Sequence, residues 1–289
     1  MYVAIVSCLN YCNKISEDTA LQESLLKNGV RSDIVAWDDG HIDWNKYDVA
    51  VLRSAWGYHK KYSSFLNWLN LLDQLKIPLI NNTDIVRWNI NKEVQFNTLS
   101  ELNVPIISYM ISDSSVDFEQ LYQIFNTQKL VFKPIVSASG YDTYVINANG
   151  QKNSVHPDVI KKVFQRRKFI VQPFVENIYA GEYALIFFDG EFSHSVLRFP
   201  GIFTDKKAHY YVPKQDVPKN IFDTATNAAK TIRHYFGENP VYARYDVVND
   251  GIMEIELAEP DLMTRNIPQE QKHLALTKFA DLISKGWQR

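Results

Sequence analysis

The stretch from Ala243 to Leu257 constrains the fold more than any other part of the chain. Two runs of alternating character, Arg244-Tyr245-Asp246-Val247-Val248 and Ile252-Met253-Glu254-Ile255-Glu256, flank the turn sequence Asn249-Asp250-Gly251. Period-two polarity around such a turn dictates an antiparallel hairpin with one charged and one apolar face. With a three-residue loop and Gly251 in the left-handed conformation, Val248 pairs with Ile252, Asp246 faces Glu254 and Arg244 faces Glu256. All four charged side chains then share one face, and Tyr245, Val247, Met253, Ile255 and Leu257 can bury against the preceding helix. A two-residue loop would turn Asp246 away from the glutamates.

Three carboxylates crowded on one face, Asp246, Glu254 and Glu256, repel one another unless a cation sits among them, and oxygen ligands of this kind suit Mg²⁺. The alternative reading is a solvated strand face of mixed charge.

The rest of the chain supplies three rhythms. Up to about residue 84, strand-like and helix-like segments alternate. The strands are Val3 to Ser7, Ile34 to Trp37, Val49 to Leu52 and Pro78 to Asn81, and the helices are Ser16 to Asn28 and Ser63 to Leu75. This predicts a Rossmann-like open parallel sheet. A helix from Asn91 to Leu102 leads into a small middle α+β lobe with strands at Leu130 to Pro134, Thr143 to Ile146 and Phe169 to Phe174. Beyond it, strands at Tyr183 to Phe188, Phe192 to Arg198, Val241 to Val248 and Ile252 to Ala258 predict an antiparallel lobe, flanked by helices at Lys219 to Phe236 and Gln269 to Trp287. The expected class is α/β (α+β) in three lobes, 1–84, 85–175 and 176–289.

Composition excludes some functions. A net charge of -2 with no long basic run lacks the footprint of a nucleic-acid binder. No apolar run approaches the ~20 residues needed to cross a bilayer, and the first residues read as a strand, so a cytoplasmic enzyme is expected. The two cysteines, Cys8 and Cys12, lack a CxxC spacing and are expected to be inert.

Several further residues carry chemistry only in combination. Lys133 ends an apolar strand and precedes Ser137, Ala138, Ser139 and Gly140, small residues whose amides can approach phosphates; a plain Ser-Gly turn is the alternative. Lys92 opens a helix at a lobe boundary, where it either points into a cleft or is solvated. Gln172, Pro173, Phe174, Val175 and Glu176 close a strand where a free backbone edge can read an adenine, with Glu176 or Glu182 on a ribose; an ordinary linker is the alternative. Neither a Walker motif nor a GxGxxG is present.

In order along the chain, Lys92, Lys133-Pro134 with its small-residue loop, Gln172-Pro173-Phe174, Gly181-Glu182, Arg198, Arg244 with Asp246, Glu254-Ile255-Glu256 and Glu259-Pro260 resemble the ATP-grasp superfamily. Arg53-Ser54-Ala55-Trp56-Gly57-Tyr58, Arg87-Trp88-Asn89 and Ser193-His194-Ser195 resemble its branch containing the D-cycloserine-forming ligase and prokaryotic glutathione synthetase. The resemblance implies that Lys92 and Lys133 contact ATP phosphates, that residues 172–176 form the adenine hinge, and that Asp246, Glu254 and Glu256 hold two Mg²⁺ ions. It implies that Arg198 and Arg244 stabilise the transferring phosphoryl group. The implied activity is an ADP-forming carboxylate-amine ligase working through an acyl phosphate. Two departures stand out: Gly57 replaces a usual aspartate, and Ile202 to Lys207 replace a Phe-Arg pair and a glycine-rich turn.

For the substrate, Arg53 is expected on a carboxylate because it follows a strand at the carboxyl end of an open sheet. Ser54, Trp56, Tyr58 and Glu259 are expected nearby. His194 reads either as an acid-base group or as a structural histidine. Trp56, Tyr58, Trp68 and Trp88 read either as a peptide-binding surface or as core. The expected partners are a small carboxylate and an amine, with a peptide acceptor and a homodimer as further options. Modification of a ribosomal peptide and a catalytically silent nucleotide-binding module are the rival functions.

Overall fold

The computed structural model describes residues 1–113, 117–138, 140–149, 154–165, 167–199, 209–249 and 251–286. Its first segment follows the expected alternation: β1 (Tyr2–Ser7), α1 (Ser16–Lys27), β2 (Arg31–Ala36), β3 (Val49–Leu52), α2 (Tyr62–Leu75) and β4 (Leu79–Ile80). The strands make a parallel sheet in the order β2-β1-β3-β4. Helix α2 buries Phe65, Trp68, Leu69 and Leu72, which recur every three or four residues and so fall on one stripe. That stripe packs among Trp37, Trp44, Val6 and Leu52.

Two helices stand where one was expected. Helices α3 (Thr83–Ile90) and α4 (Lys92–Glu101) are separated by Asn91, whose backbone is extended and whose side chain accepts from the amides of Glu93 and Val94. This cap satisfies amides that the first turn of α4 leaves without intrahelical partners. Helix α3 escaped the sequence reading because its core residues divide between two cores: Val86 and Ile90 pack with the first sheet, Ile85 and Trp88 with the last.

The middle lobe contains β5 (Met110–Ser112), α5 (Phe118–Ile124), β6 (Lys129–Pro134), β7 (Tyr144–Asn147), α6 (Pro157–Phe164) and β8 (Phe169–Pro173), with antiparallel order β5-β8-β6-β7. The last lobe contains β9 (Glu182–Phe188), β10 (Glu191–Arg198), β11 (His209–Val212), α7 (Lys219–Phe236), β12 (Tyr242–Val248), β13 (Gly251–Glu256) and α8 (Gln269–Gly286), with strand order β11-β10-β9-β12-β13. Trp287, the expected end of the last helix, lies outside the described residues. Between β9 and β10, Asp189 and Gly190 both take positive φ, 51° and 75°, the two-residue turn that matches the twist of a hairpin.

The first and last lobes share a core. Val3, Ile5, Val51 and Ile80 pack with Ala184, Ile186, Tyr242 and Phe279. Buried Asn81 stitches the junction by donating to the carbonyls of Tyr242 and Leu257 at 2.9 and 2.8 Å and accepting from the amide of Val241 at 2.6 Å. Asn89 repeats the device from α3, donating to Ile255 O and accepting from the amides of Leu257 and Ala258.

The hairpin register corrects one expectation and preserves its consequence. Val248 pairs with Gly251 across a two-residue loop, and Asn249, not Gly251, takes the positive φ of 53°. That loop alone would send Asp246 to the wrong face. A bulge between Asp246 and Val247 shifts the pairing by one residue, so Asp246 faces Glu254 and Arg244 faces Glu256 after all. The extra residue is Met253. Ile252 instead joins Tyr245, Val247, Ile255 and Leu257 against α7, and Met253 packs beside Phe174 and Ile178.

Candidate active site

A cleft of about 580 Å³ opens where the middle lobe meets the β12–β13 hairpin. Its wall includes Lys92, Lys133, Glu254, Glu256, Arg244 and Arg198, which come from α4, β6, β13, β12 and β10. Glu254 and Glu256 alternate along β13 and so project on one side, where β12 brings Asp246 opposite them. Carboxylate oxygens of Asp246, Glu254 and Glu256 lie within 4.8 Å of one another.

Three acids at that spacing persist because cations surround them. Arg244 grips Asp246 with two hydrogen bonds, both 2.9 Å, pairs with Glu256, and donates to the carbonyl of Asp261 at 3.1 Å. Arg198 bridges Glu182 and Asp246, 2.8 Å to each. Lys92 pairs with Glu254. Its position is fixed by the Asn91 cap and by its own amide, which donates to Ile135 O at 2.8 Å and so ties α4 to the end of β6.

The protonation balance is strained. Burial pushes Glu256 up to about 8, since Arg244 is outweighed once Glu254, Asp246 and Glu259 add their repulsion. Burial likewise pushes Glu259 and Glu182 up to about 7. Glu254 goes the other way: burial opposes its ionisation, yet Lys92 and Lys133 hold it down to about 2. Burial lowers Lys133 to about 8, partly offset by Glu254. A divalent cation between Asp246, Glu254 and Glu256 relieves this repulsion, and the all-oxygen donor set fits Mg²⁺.

The remaining expected residues separate into two groups. In the cleft wall stand Ser137, Gly140, Gln172, Pro173, Phe174, Val175, Glu182, Trp56, Tyr58 and Glu259. Ser139 and the 202–207 segment lie outside the described residues. Glu176 is exposed and pairs with Lys129 at 3.4 Å, away from that wall, and buried Glu182 is already engaged by Arg198.

Arg53, Ser54 and His194 are not in the cleft wall, and for His194 the structure favours the structural alternative. Arg53 is buried beneath the site, its guanidinium 5.6 and 5.7 Å from the ring centroids of Tyr242 and Phe279. The sheet end on which it sits is roofed by the last lobe, so the open-sheet argument fails there. Ser54 is bound to Ser7 and Asp18 in a buried polar cluster. His194 is 2% exposed and spans Leu262 O and Ser193 Oγ at 2.7 and 2.9 Å. Trp68 and Trp88 are core residues, which removes them from any peptide-binding surface.

Sequence reasoning missed Tyr11, Ile107 and Met253, all of which line the cleft. Val131, Phe174, Ile178 and Met253 form an apolar slot at its edge, suited to a flat ring. Only the bulge puts Met253 there, and no sequence signal short of the register itself announces it.

Comparison with known proteins gives two adjoining matches. Residues 98–272 match the family described as prokaryotic glutathione synthetase, ATP-grasp domain. Residues 3–81 match the N-terminal domain of D-cycloserine synthetase DcsG. A curated relative, the cycloserine biosynthesis protein DcsG of Streptomyces lavendulae, is 26% identical over 262 residues, covering 84% of this chain and 86% of the relative. The crystal structure of D-cycloserine synthetase DcsG superposes with a TM-score of 0.83 at 22% identity, covering 99% of this chain and 100% of the other. That of D-alanine–D-alanine ligase from Bacillus anthracis complexed with ATP gives 0.70 at 14% identity, covering 100% and 97%. At these identities the structural likenesses establish the fold.

Proposed function

We infer that this chain, which belongs to the family of the prokaryotic glutathione synthetase ATP-grasp domain, is a Mg²⁺- and ATP-dependent ligase that activates a carboxylate as an acyl phosphate, releases ADP and joins the acyl group to an amine. The observation that carries this reading is convergence: Lys92 and Lys133 from one lobe and Glu254 and Glu256 from another line one cleft, with a carboxylate oxygen of buried Asp246 within 4.8 Å of theirs.

Each residue has a physical task. Val131, Phe174, Ile178 and Met253 sandwich the adenine, and the backbone at Phe174 and Val175 reads its edge. Lys133 and Lys92 hold the phosphates, and Lys92 leaves Glu254 to do so. Ser137 and Gly140 cover the phosphates from the loop after β6. Asp246, Glu254 and Glu256 hold two Mg²⁺ ions, which when bound neutralise charge on the phosphates. Arg198 and Arg244, fixed by Glu182 and Asp246, face the transferring phosphoryl group and the oxyanion of the tetrahedral intermediate. Preorganised donors of this kind cost no reorganisation at the moment of reaction.

The chemistry needs no nucleophilic side chain. A carboxylate oxygen attacks the γ-phosphorus and ADP departs; the amine then attacks the acyl carbon and inorganic phosphate departs. Trp56, Tyr58 and Glu259 border the space where the acid and amine meet. The lobe limits at residues 84 and 175 belong to the same proposal, supported by the gaps between sheets at Ile80 to Met110 and Pro173 to Glu182. No helix among the described residues is long and apolar enough to cross a membrane. A cytoplasmic setting belongs to the same proposal, because the reaction consumes ATP.

The test is a screen of amino acids for Mg²⁺-dependent ADP release, followed by the active acid labelled with ¹⁸O in its carboxylate. Label appearing in inorganic phosphate supports the acyl phosphate. Label in AMP, with pyrophosphate released, overturns it.

A further inference from the structure

Helix α1 opens with two buried acids, Glu17 and Asp18. A charge is buried at great cost unless it is paired and hydrogen-bonded, so each needs a partner. Asp18 has a local one, accepting from the Ser54 hydroxyl within the first lobe. Glu17 instead reaches into the last lobe, accepting from Thr264 Oγ1 at 3.0 Å and from Arg265 Nη1 at 2.6 Å. Arg265 stands in the cleft wall with 48% of its side chain exposed, whereas Glu17 is not part of that wall.

Arg265 carries the tie inward. Its guanidinium also pairs with Asp261, whose carboxylate accepts from the amide of Met263 at 2.9 Å. Met263 has φ 56°, a conformation that an unbranched side chain rarely takes unaided, so these bonds hold the turn in shape. The carbonyl of the same Asp261 accepts from Arg244 Nη1 at 3.1 Å. Glu17, Arg265, Asp261 and Arg244 thus form one chain of hydrogen bonds from the first helix to the floor of the cleft. Trp56, also of the first lobe, steadies the start of this loop by donating from Nε1 to Glu259 O at 3.2 Å.

Asp246 and Glu256 hold Arg244 as well, but both are proposed Mg²⁺ ligands, and their oxygens are shared once a cation sits among them. The Asp261 carbonyl has no such second duty. We propose that Glu17 is a positioning residue for the transfer chemistry: acting through Arg265 and the Asp261 loop, it keeps the Arg244 guanidinium aimed when the acids serve the metal. The first lobe thereby completes the aim of a group carried by the last. The task given to Arg244 rests on the ligase reading; its link to Glu17 rests on the hydrogen bonds.

The test has two arms and uses the full chain. In the first, the protein is saturated with Mg²⁺ and AMPPNP, and the ¹⁵Nε–H resonance of Arg244, assigned with Arg244→Lys, is compared in wild type, Glu17→Gln and Arg265→Gln. Glu17→Gln keeps an acceptor for Thr264 while losing the ion pair, and Arg265→Gln changes a half-exposed side chain, so the fold is not at stake in both. The expected result is a shifted, faster-exchanging Arg244 signal in both variants, moved more than the signal of Arg198. An Arg244 signal identical to wild type in both overturns the proposal. In the second arm, ADP release is measured with an acid that the wild type turns over. Both variants should lose kcat ~10–100-fold with KM for ATP unchanged, as expected of a displaced catalytic group. Unchanged kcat in both overturns the proposal. A shifted Arg244 signal, with no ADP release from any acid in the wild type, sinks the ligase reading and leaves the hold of Glu17 on Arg244 standing. Wild-type ADP release with an unmoved signal and an unchanged kcat in the variants does the reverse.

Discussion

His194 is the residue whose structural role can be checked most sharply against a catalytic one. It sits on β10 away from the cleft wall, with Nε2–H donating to Leu262 O at 2.7 Å and Nδ1 accepting from Ser193 Oγ at 2.9 Å. Both nitrogens are satisfied in the neutral ring. Burial holds its pKa down to about 4 from a usual value of 6.5. The folded-state value is depressed, so at high pH the ring is neutral in both states and contributes no pH dependence. As pH falls through 6.5 the unfolded chain takes up a proton that the folded chain refuses, and stability is lost until about pH 4. The gap of two and a half pH units, at ~1.4 kcal/mol each, amounts to about 3 kcal/mol, of which about 2 is already lost by pH 5. The assay is urea unfolding of the wild type and of His194→Gln at pH 7.5, 6 and 5. The variant is less stable by ~1–3 kcal/mol at pH 7.5, where it loses a buried hydrogen bond. Its disadvantage shrinks by about 2 kcal/mol at pH 5, because it lacks the titrating ring. A difference that stays constant with pH refutes the reasoning, and so does a large loss of kcat at pH 7.5 in folded His194→Gln.

Other predictions follow from the cleft. Met253→Ala removes one wall of the base slot and is expected to weaken nucleotide binding ~10-fold by calorimetry while the Mg²⁺ requirement persists. Because Glu256 and Glu259 are raised to about 8 and 7, Mg²⁺-nucleotide binding must expel protons. Affinity therefore rises from pH 6 to pH 8, and calorimetry in buffers of different ionisation enthalpy should show proton release. Gly181 has φ 109°, and a Cβ there would come within 2.7 Å of Leu197, so Gly181→Ala is expected to cost ~1–3 kcal/mol in urea unfolding. Glu256→Ala is expected to abolish ADP release while leaving the circular dichroism spectrum unchanged.

The sequence made the hairpin legible because period-two alternation reports faces, and Asp246, Glu254 and Glu256 do share one. It could not report the route. The two-residue loop and the bulge at Met253 each shift the register, and their effects cancel at the acids but not at Met253. Lys92 and Lys133 were readable from their place in an ordered set of motifs, whereas Asn81 and Asn89 were not, since a buried stitching asparagine looks like any polar residue until its three partners are known. Arg53 misled for a related reason. A strand end in an open sheet usually faces a ligand, but here the last lobe packs over it, and Tyr242 and Phe279 take the guanidinium.

The most direct test of convergence is the affinity for the non-hydrolysable analogue AMPPNP, measured by calorimetry with and without Mg²⁺. In the wild type, Mg²⁺ should tighten binding strongly. Lys133→Met should weaken both measurements, and Glu256→Gln should erase the Mg²⁺ effect while leaving the metal-free affinity nearly unchanged. Wild-type binding indifferent to Mg²⁺, or a Lys133→Met protein that binds as well as the wild type, would contradict a shared site for the lysines and the acids.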